Sequence, residues 1–296
     1  MRLDDERQSR NVEDRRFQRG LGGNSMQMLF MLWPVIRALL RTKFGWAIIA
    51  VGIGAYLLGF NPLALFLGAP PSGPAVSQPQ DDSQAVFIKK VLATTEDIWG
   101  QMLPRYGYSY KPPVLVLYRG STHSGCGFAS AQIGPFYCPA DQKIYLDLGF
   151  FDQLERRFNA PGDFAQAYVL AHEVGHHIQK IMGILDKVHA LQQQALRRGD
   201  KVKANHLQIP VELHADCLAG VWGHYAKGHL EPGDIEEAMN AANRIGDDTL
   251  QKESQGYVVP DSFTHGTARQ RMKWFMEGFK SGDLESCNAV FSMNSF

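Results

Sequence analysis

The residues best able to do chemistry lie in the stretch His172-Glu173-Val174-Gly175-His176. In an α-helix, side chains four residues apart share a face, so the two imidazoles predict ligands to one metal ion. Glu173 follows the first histidine and is predicted to be a general base for a water on that metal. The mostly apolar residues 164–170 indicate a helix here, with Asp163 as its predicted N-cap.

A catalytic zinc ion needs a third protein ligand and an open position for water. Glu212 in Glu212-Leu213-His214-Ala215-Asp216 is predicted to supply that ligand from a second helix. Asp216, one turn later, is predicted to accept the second N–H of a ligand histidine. His214 and Cys217 are rotated away from Glu212 by helix geometry, and His177 is rotated away from His176, so none of these three is predicted to bind metal.

A zinc peptidase also needs a donor for the negative charge that develops on the carbonyl oxygen during attack. His265, in Phe263-Thr264-His265-Gly266, is the candidate, and it is predicted to open the last helix. Tyr257 is the alternative donor. His265 acting only as a packing or capping residue remains an equal interpretation.

These residues predict one Zn²⁺ per chain and hydrolysis of peptide bonds in a peptide or protein substrate. A non-catalytic, zinc-stabilised binding or scaffold protein is the main alternative. A structural zinc site is normally closed by four protein ligands, whereas this sequence offers three and an intact Glu173, which favours catalysis. A zinc hydrolase that acts on a non-peptide amide stays open as a third interpretation.

The elements that must position these residues predict an α+β domain in which a small N-terminal β-sheet precedes many helices. Strands are predicted at 114–118, 129–137 and 143–148, and helices at 86–102, 163–182, 184–198, 207–226, 231–245 and 264–280. The strand at 143–148, with Tyr145 and Asp147 and preceded by Tyr137, is either the edge strand beside the substrate or a plain core strand.

Residues 44–68 contain no charged side chain, and 46–66 form an apolar run. As a helix this run would be about 30 Å long, the thickness of a bilayer core, so it predicts one transmembrane helix. A buried core helix and a cleaved signal peptide are the alternatives. Arg37, Arg41 and Lys43 precede it and no Lys or Arg follows until Lys89, which predicts a cytoplasmic N-terminus and an exported domain.

The predicted organisation is therefore a cytoplasmic tail (1–43, disordered over 1–25), a transmembrane helix (44–68), a Pro/Ser/Gln-rich linker (69–84) and a metallopeptidase domain (85–296). This is a single-pass protein of the cytoplasmic membrane with its catalytic domain outside. Lys plus Arg and Asp plus Glu number 30 each, so the formal net charge is zero and no nucleic-acid partner is predicted.

The four cysteines form no C-x-x-C pair, which argues against a cysteine-based zinc ribbon. An exported domain would form disulfides. We expect Cys126 to pair with Cys138, because glycines and a proline around them favour a folded-back loop, and Cys217 to pair with Cys287. Four cysteines allow three connectivities, and four buried free thiols remain the expectation for a cytoplasmic domain.

Five stretches resemble one bacterial family, the "putative neutral zinc metallopeptidase" family, within the wider gluzincin pattern of H-E-x-x-H followed by E-x-x-A-D. They are Asn11-Val-Glu-Asp-Arg-Arg16, the glycine–cysteine segment of residues 125–139, His172–His177, residues 212–222, and Ser262–Gly266 with Arg269-Gln-Arg271. The resemblance covers nearly the whole chain. It implies a zincin-like fold and peptidase activity, and it names no substrate.

Overall fold

The computed structural model describes residues 1–16, Arg37 and 83–293. The chain divides into two units. One is formed by Met1–Phe17 together with Asp81–Phe296, and the other is Gln18–Gln80, which lies outside the described residues except for Arg37. The predicted transmembrane helix, 44–68, and residues 69–82 of the predicted linker therefore fall outside the described part of the chain, while residues 83 and 84 of that linker are helical. Among the described residues, no helix is both long and apolar enough to cross a bilayer.

A four-stranded mixed sheet precedes most of the helices, as the predicted α+β arrangement requires. Its order is β1-β2-β6-β5. The strands are β1 (Val12–Asp14), β2 (Val114–Tyr118), β5 (Phe136–Cys138) and β6 (Lys143–Asp147), while β3 (Ser121–Ser124) and β4 (Gly127–Ser130) form a separate hairpin. β1 and β6 run parallel to β2, and β5 runs antiparallel to β6.

Two strand predictions need correction. Residues 129–137 are not one strand, because β4 ends at Ser130 and a 3₁₀ helix, Ala131–Ile133, follows. Gly134 then turns the chain with φ 81° before β5 begins. The strand at 143–148 is not the edge of the sheet, since β6 lies between β2 and β5. Among the described strands, β5 pairs with β6 alone and forms the edge of the sheet on that side, while β1 forms the other edge.

Each helix predicted within residues 85–296 is present, with ends displaced by about one turn at most. The helices are α1 (Ser83–Met102), α2 (Gly149–Arg156), α3 (Asp163–Ile181), α4 (Ile184–Arg197), α5 (Lys201–His206), α6 (Ile209–Tyr225), α7 (Asp234–Arg244), α8 (Asp247–Gln255), α9 (Ala268–Ser281), α10 (Leu284–Asn288) and α11 (Val290–Met293). The short helices α2, α5, α8, α10 and α11 were not predicted individually, because their few turns give little periodic signal.

Helix α6 lies between α3 and α9 and is buried along most of its length. Glycines permit this close packing. A Cβ on Gly175 of α3 would lie 3.0 Å from the carbonyl oxygen of Ala215 in α6, and a Cβ on Gly278 of α9 would lie 1.9 Å from the carbonyl oxygen of Cys217. The α3–α6 contact brings the helix with the two histidines against the helix with Glu212.

Residues 1–16 belong to the folded domain, so the predicted disordered tail is wrong for this part of the chain. Val12 of β1 pairs with Leu115 of β2, and the side chains of Met1 and Leu3 are buried in the main core. The sequence signal was weak because β1 has only three residues and lies far in sequence from its partner strand.

Both disulfides form with the expected pairing. Cys126–Cys138 connects the turn of the β3–β4 hairpin to β5, and Cys217–Cys287 connects α6 to α10. The second bridge joins residues 70 apart in sequence and fixes the C-terminal helices to the helix that carries Glu212. None of the four cysteines is free.

Candidate metal centre

His172 and His176 lie one turn apart on α3, with ring centroids 4.8 Å apart. The helix begins one residue earlier than the N-cap prediction implied. Gly162, with φ 119°, is the N-cap and Asp163 is the first helical residue. The Asp163 carboxylate accepts a hydrogen bond from the Met1 amine at 2.8 Å, so the prediction that Asp163 caps the helix is wrong.

Glu212 of α6 completes a compact group with the two histidines. Glu212 Oε2 lies 3.2 Å from Nε2 of His172 and 3.5 Å from Nε2 of His176. Two ligand atoms at the usual zinc distances in a tetrahedral site are about 3.3 Å apart. The three side chains therefore form a group that fits a zinc ion with one position left for another ligand, and their ligand atoms all lie within 4.8 Å of one another.

Asp216, also on α6, orients His172. Its Oδ1 lies 2.8 Å from Nδ1 of His172, which leaves Nε2 facing Glu212. Asp216 also accepts hydrogen bonds from Tyr168 at 2.6 Å and from two nitrogens of Arg271 at 2.9 Å. Burial would raise the pKa of Asp216, but the charges and hydrogen bonds of Arg271 and His172 lower it to about 2. Asp216 is therefore a permanent anion behind His172, as predicted.

Gln179 performs the same task for His176, and the sequence analysis missed it. Its Oε1 lies 2.9 Å from Nδ1 of His176, and its Nε2 donates to the carbonyl oxygen of Val211 on α6 at 2.6 Å. Gln179 is three residues after His176 and so shares its face of the helix. That i, i+3 spacing was the signal available in the sequence.

The second oxygen of Glu212 is also held. Gln208 Nε2 donates to Oε1 of Glu212 at 2.7 Å, which leaves Oε2 facing the two imidazoles. All three candidate ligands thus have one atom fixed by the protein and one atom directed at a common point. Such partners set ligand orientation in metal sites.

The three candidate ligands line a cleft of about 840 Å³. Glu173 lines this cleft and is 7% exposed, and no described residue donates a hydrogen bond to its carboxylate. Apolar side chains that also line the cleft include Ile133, Phe136 and Phe150. The cleft therefore presents a carboxylate, a metal-binding group and an apolar wall to one bound molecule.

His265 lines the same cleft and lies in the loop between α8 and α9. The carboxylate of Asp247 holds this loop by accepting from the backbone N–H groups of Thr264 and His265, both at 2.7 Å. His265 does not open a helix, because α9 begins at Ala268 with Thr267 as its N-cap. Tyr257 is 62% exposed and does not line the cleft, so the alternative donor assignment is wrong.

The remaining histidines near the motifs have other partners. His177 Nε2 donates to the carbonyl oxygen of Lys111 at 2.7 Å, and its Nδ1 lies 3.0 Å from the hydroxyl of Tyr137 in β5. His214 contacts Gln179 and Asn288, and burial lowers the pKa of His214 to about 3. Neither belongs to the group of metal ligands. His177 instead joins α3 to β5.

Comparisons with known proteins agree with this geometry. The model of the family described as "Putative neutral zinc metallopeptidase" matches residues 1–290. The chain is 49% identical over 293 residues to "Uncharacterized protein YpfJ" of Escherichia coli K12, covering 97% of this chain and 98% of that protein. It is 36% identical over 259 residues to "Uncharacterized protein Rv2575" of Mycobacterium tuberculosis H37Rv, covering 76% and 84%. No solved structure matches.

Proposed function

Because the chain belongs to the "Putative neutral zinc metallopeptidase" family, we propose that it is a zinc-dependent peptidase, with one zinc ion per chain held by His172, His176 and Glu212. One observation carries the proposal: the three ligand atoms converge within a cleft that Glu173 and His265 also line. A structural zinc site would be closed by a fourth protein ligand. Among the described residues, none completes the group in that way.

Glu173 is the proposed general base. Zinc supplies two things when it is bound, a water whose pKa is lowered to about 7 and a Lewis acid for a carbonyl oxygen. Glu173 takes a proton from the attacking water and later gives it to the leaving amine. Its carboxylate suits this exchange because it lines the cleft and no described residue hydrogen-bonds it.

His265 is the proposed donor to the negative charge that develops on the substrate oxygen. It lines the cleft from the α8–α9 loop, whereas Glu173 lies on α3, so the two side chains are supplied by different elements. Burial opposes protonation, but the hydrogen bond to Asp247 raises the pKa of His265. A histidine that retains its proton can donate to an oxyanion.

β5 is the proposed docking strand for an extended peptide. It forms the edge of the sheet, and Phe136 and Tyr137 line the cleft. An exposed strand edge recognises extended peptides through main-chain hydrogen bonds. The hydrogen bond between Tyr137 and His177 holds this strand beside the helix that carries Glu173.

The test is a peptide-library cleavage assay on the full-length protein, with zinc content measured on the same sample. We expect the native chain to bind one zinc ion and cleave, and Glu173→Gln to bind zinc without cleaving. Glu155→Gln makes the same chemical change at an exposed residue of α2 and should leave both properties intact. Cleavage by Glu173→Gln at the native rate would refute the base assignment. Zinc binding with no cleavage of any peptide by the native chain would favour the non-catalytic alternative.

A further inference from the structure

The first 16 residues form an integral part of the domain through the sheet. β1 and β2 pair in parallel, with the backbone N–H of Leu115 bonded to the carbonyl oxygen of Asn11 at 2.9 Å. The N–H of Arg15 bonds to the carbonyl oxygen of Leu117 at 2.7 Å. These bonds use the edge of β2 that β6 leaves open, so β1 completes the sheet.

A buried carboxylate on α1 depends on the same segment. Glu96 is 7% exposed and accepts hydrogen bonds from Arg7 at 3.0 Å, Ser9 at 2.5 Å and Asn11 at 2.8 Å. Without residues 7–11 these three donors would be lost. A buried carboxylate that loses its donors is costly, so the domain surface is built to be covered by this segment.

The start of the segment contacts α3, the helix of His172 and His176, because the Met1 amine donates a hydrogen bond to the carboxylate of Asp163. The side chains of Met1 and Leu3 are 6% and 5% exposed and pack in the main core. Lys90 of α1 donates to the carbonyl oxygens of Leu3 and Asp4 at 2.7 and 2.8 Å. Segment and domain therefore share one core as well as one sheet.

This docking constrains how the chain meets a membrane. The uncharged residues 44–68 lie in sequence between β1 and α1. Backbone groups bonded at 2.7–2.9 Å cannot lie on opposite sides of a hydrocarbon layer about 30 Å thick. We infer that residues 1–16 and 83–293 lie in the same compartment, on one side of any membrane that the protein meets. The single crossing predicted from the charge pattern is incompatible with this arrangement.

Accessibility of two added thiols tests the inference directly. All four native cysteines are in disulfides, so an added cysteine is the only free thiol. Gln8→Cys places it on the N-terminal segment and Gln194→Cys places it on α4, both at exposed positions. In intact cells that make the full chain, a membrane-impermeant maleimide should label both positions equally, or neither until the cells are lysed. Labelling of one position in intact cells and of the other only after lysis would overturn the inference.

A second measurement asks whether the segment is docked in the protein purified from membranes. Lys143 of β6 forms an ion pair with Glu13 of β1. Glu13→Lys and Lys143→Glu should each lower the Tm by a few degrees, and the double variant should recover much of that loss because the pair is restored with reversed sign. A Glu13→Lys variant that unfolds at the native Tm, with no coupling to Lys143→Glu, would show that β1 is not docked and would remove the basis of the inference, whatever the labelling gives.

Discussion

Asp216 and His172 form a buried hydrogen-bonded pair, 2.8 Å from Oδ1 to Nδ1, in which Asp216 is fully shielded from solvent. Arg271 of α9 holds the other face of the carboxylate at 2.9 Å. Three helices thus fix the orientation of one imidazole, whose free Nε2 is directed at the metal-binding group. The same fixed imidazole makes zinc affinity sensitive to a residue that does not touch the metal.

Asp216→Asn should weaken zinc binding by about 10- to 100-fold, the usual effect of removing such a partner. Asparagine keeps the shape but loses the negative charge that holds the Nδ1 proton. The measurement is a zinc competition titration with a chromophoric chelator. Asp152→Asn, the same change at an exposed position of α2, is the control and should bind zinc as the native protein does. Equal affinity in the two variants would contradict the role of Asp216.

His265→Ala should lower kcat by about a hundredfold while leaving zinc bound, because one donor to the developing oxyanion is lost. Steady-state kinetics on a cleaved peptide and zinc analysis of the same sample check this. His123→Ala, at an exposed position of β3, provides the comparison. An unchanged kcat would remove His265 from the reaction and leave it as a structural residue of the loop.

Asp247 should contribute stability in a pH-dependent way. Burial would raise the pKa of Asp247, but His265 and backbone N–H groups lower it below its ordinary value of 3.8. The unfolded chain therefore takes up this proton first as pH falls. The contribution is fully present above pH 3.8 and is lost as pH falls through the lowered pKa of the folded state.

Asp247→Asn should accordingly cost about 1.5–3 kcal/mol near pH 7, the range for hydrogen bonds to a charged group. The difference from the native protein should shrink below pH 4. Urea unfolding of both proteins across pH 3–7 measures it. A difference that stays constant over that range would show that the charge of Asp247 is not the cause.

Gly278→Ala should destabilise the fold by about 3 kcal/mol or more, because the added methyl would lie 1.9 Å from the carbonyl oxygen of Cys217 and force α9 away from α6. Gly228→Ala is the matched control, since a Cβ there meets nothing within 4 Å. Thermal unfolding compares the two. If Gly278→Ala unfolded at the native Tm, α6 and α9 would not pack as closely as described.

The long periodic helices and the metal-binding motifs were predictable from sequence, because i, i+4 spacing fixes which side chains share a face. His172, His176 and Glu212 illustrate this, since each is placed by one helix and the helices by their apolar faces. β1 and the edge position of β5 were not predictable in this way. A three-residue strand has no measurable period, and strand order depends on pairings between segments far apart in sequence.

The roles of Gln179 and Glu96 were missed for a related reason. A neutral amide and a buried carboxylate on a helix look like ordinary polar residues until their partners are known. Their partners, Val211 and residues 7–11, come from distant parts of the chain. Spacing within one element predicts neighbours in that element, and nothing in it reports contacts between elements.

The close glycine contacts and the Cys217–Cys287 bridge make the helical part of the cleft more rigid than the part formed by the strands and their connections. On the helical side, the backbones of α3, α6 and α9 pack closely at Gly175 and Gly278, which restrains the backbone that carries Glu212. On the other side, Ile133 is 60% exposed and stands in a short connection between the β3–β4 hairpin and β5. We therefore expect the connection that contains Ile133 to adjust to substrates of different shape. Differences in substrate selectivity among relatives should arise from residues of this connection, while the residues of the helical wall stay the same.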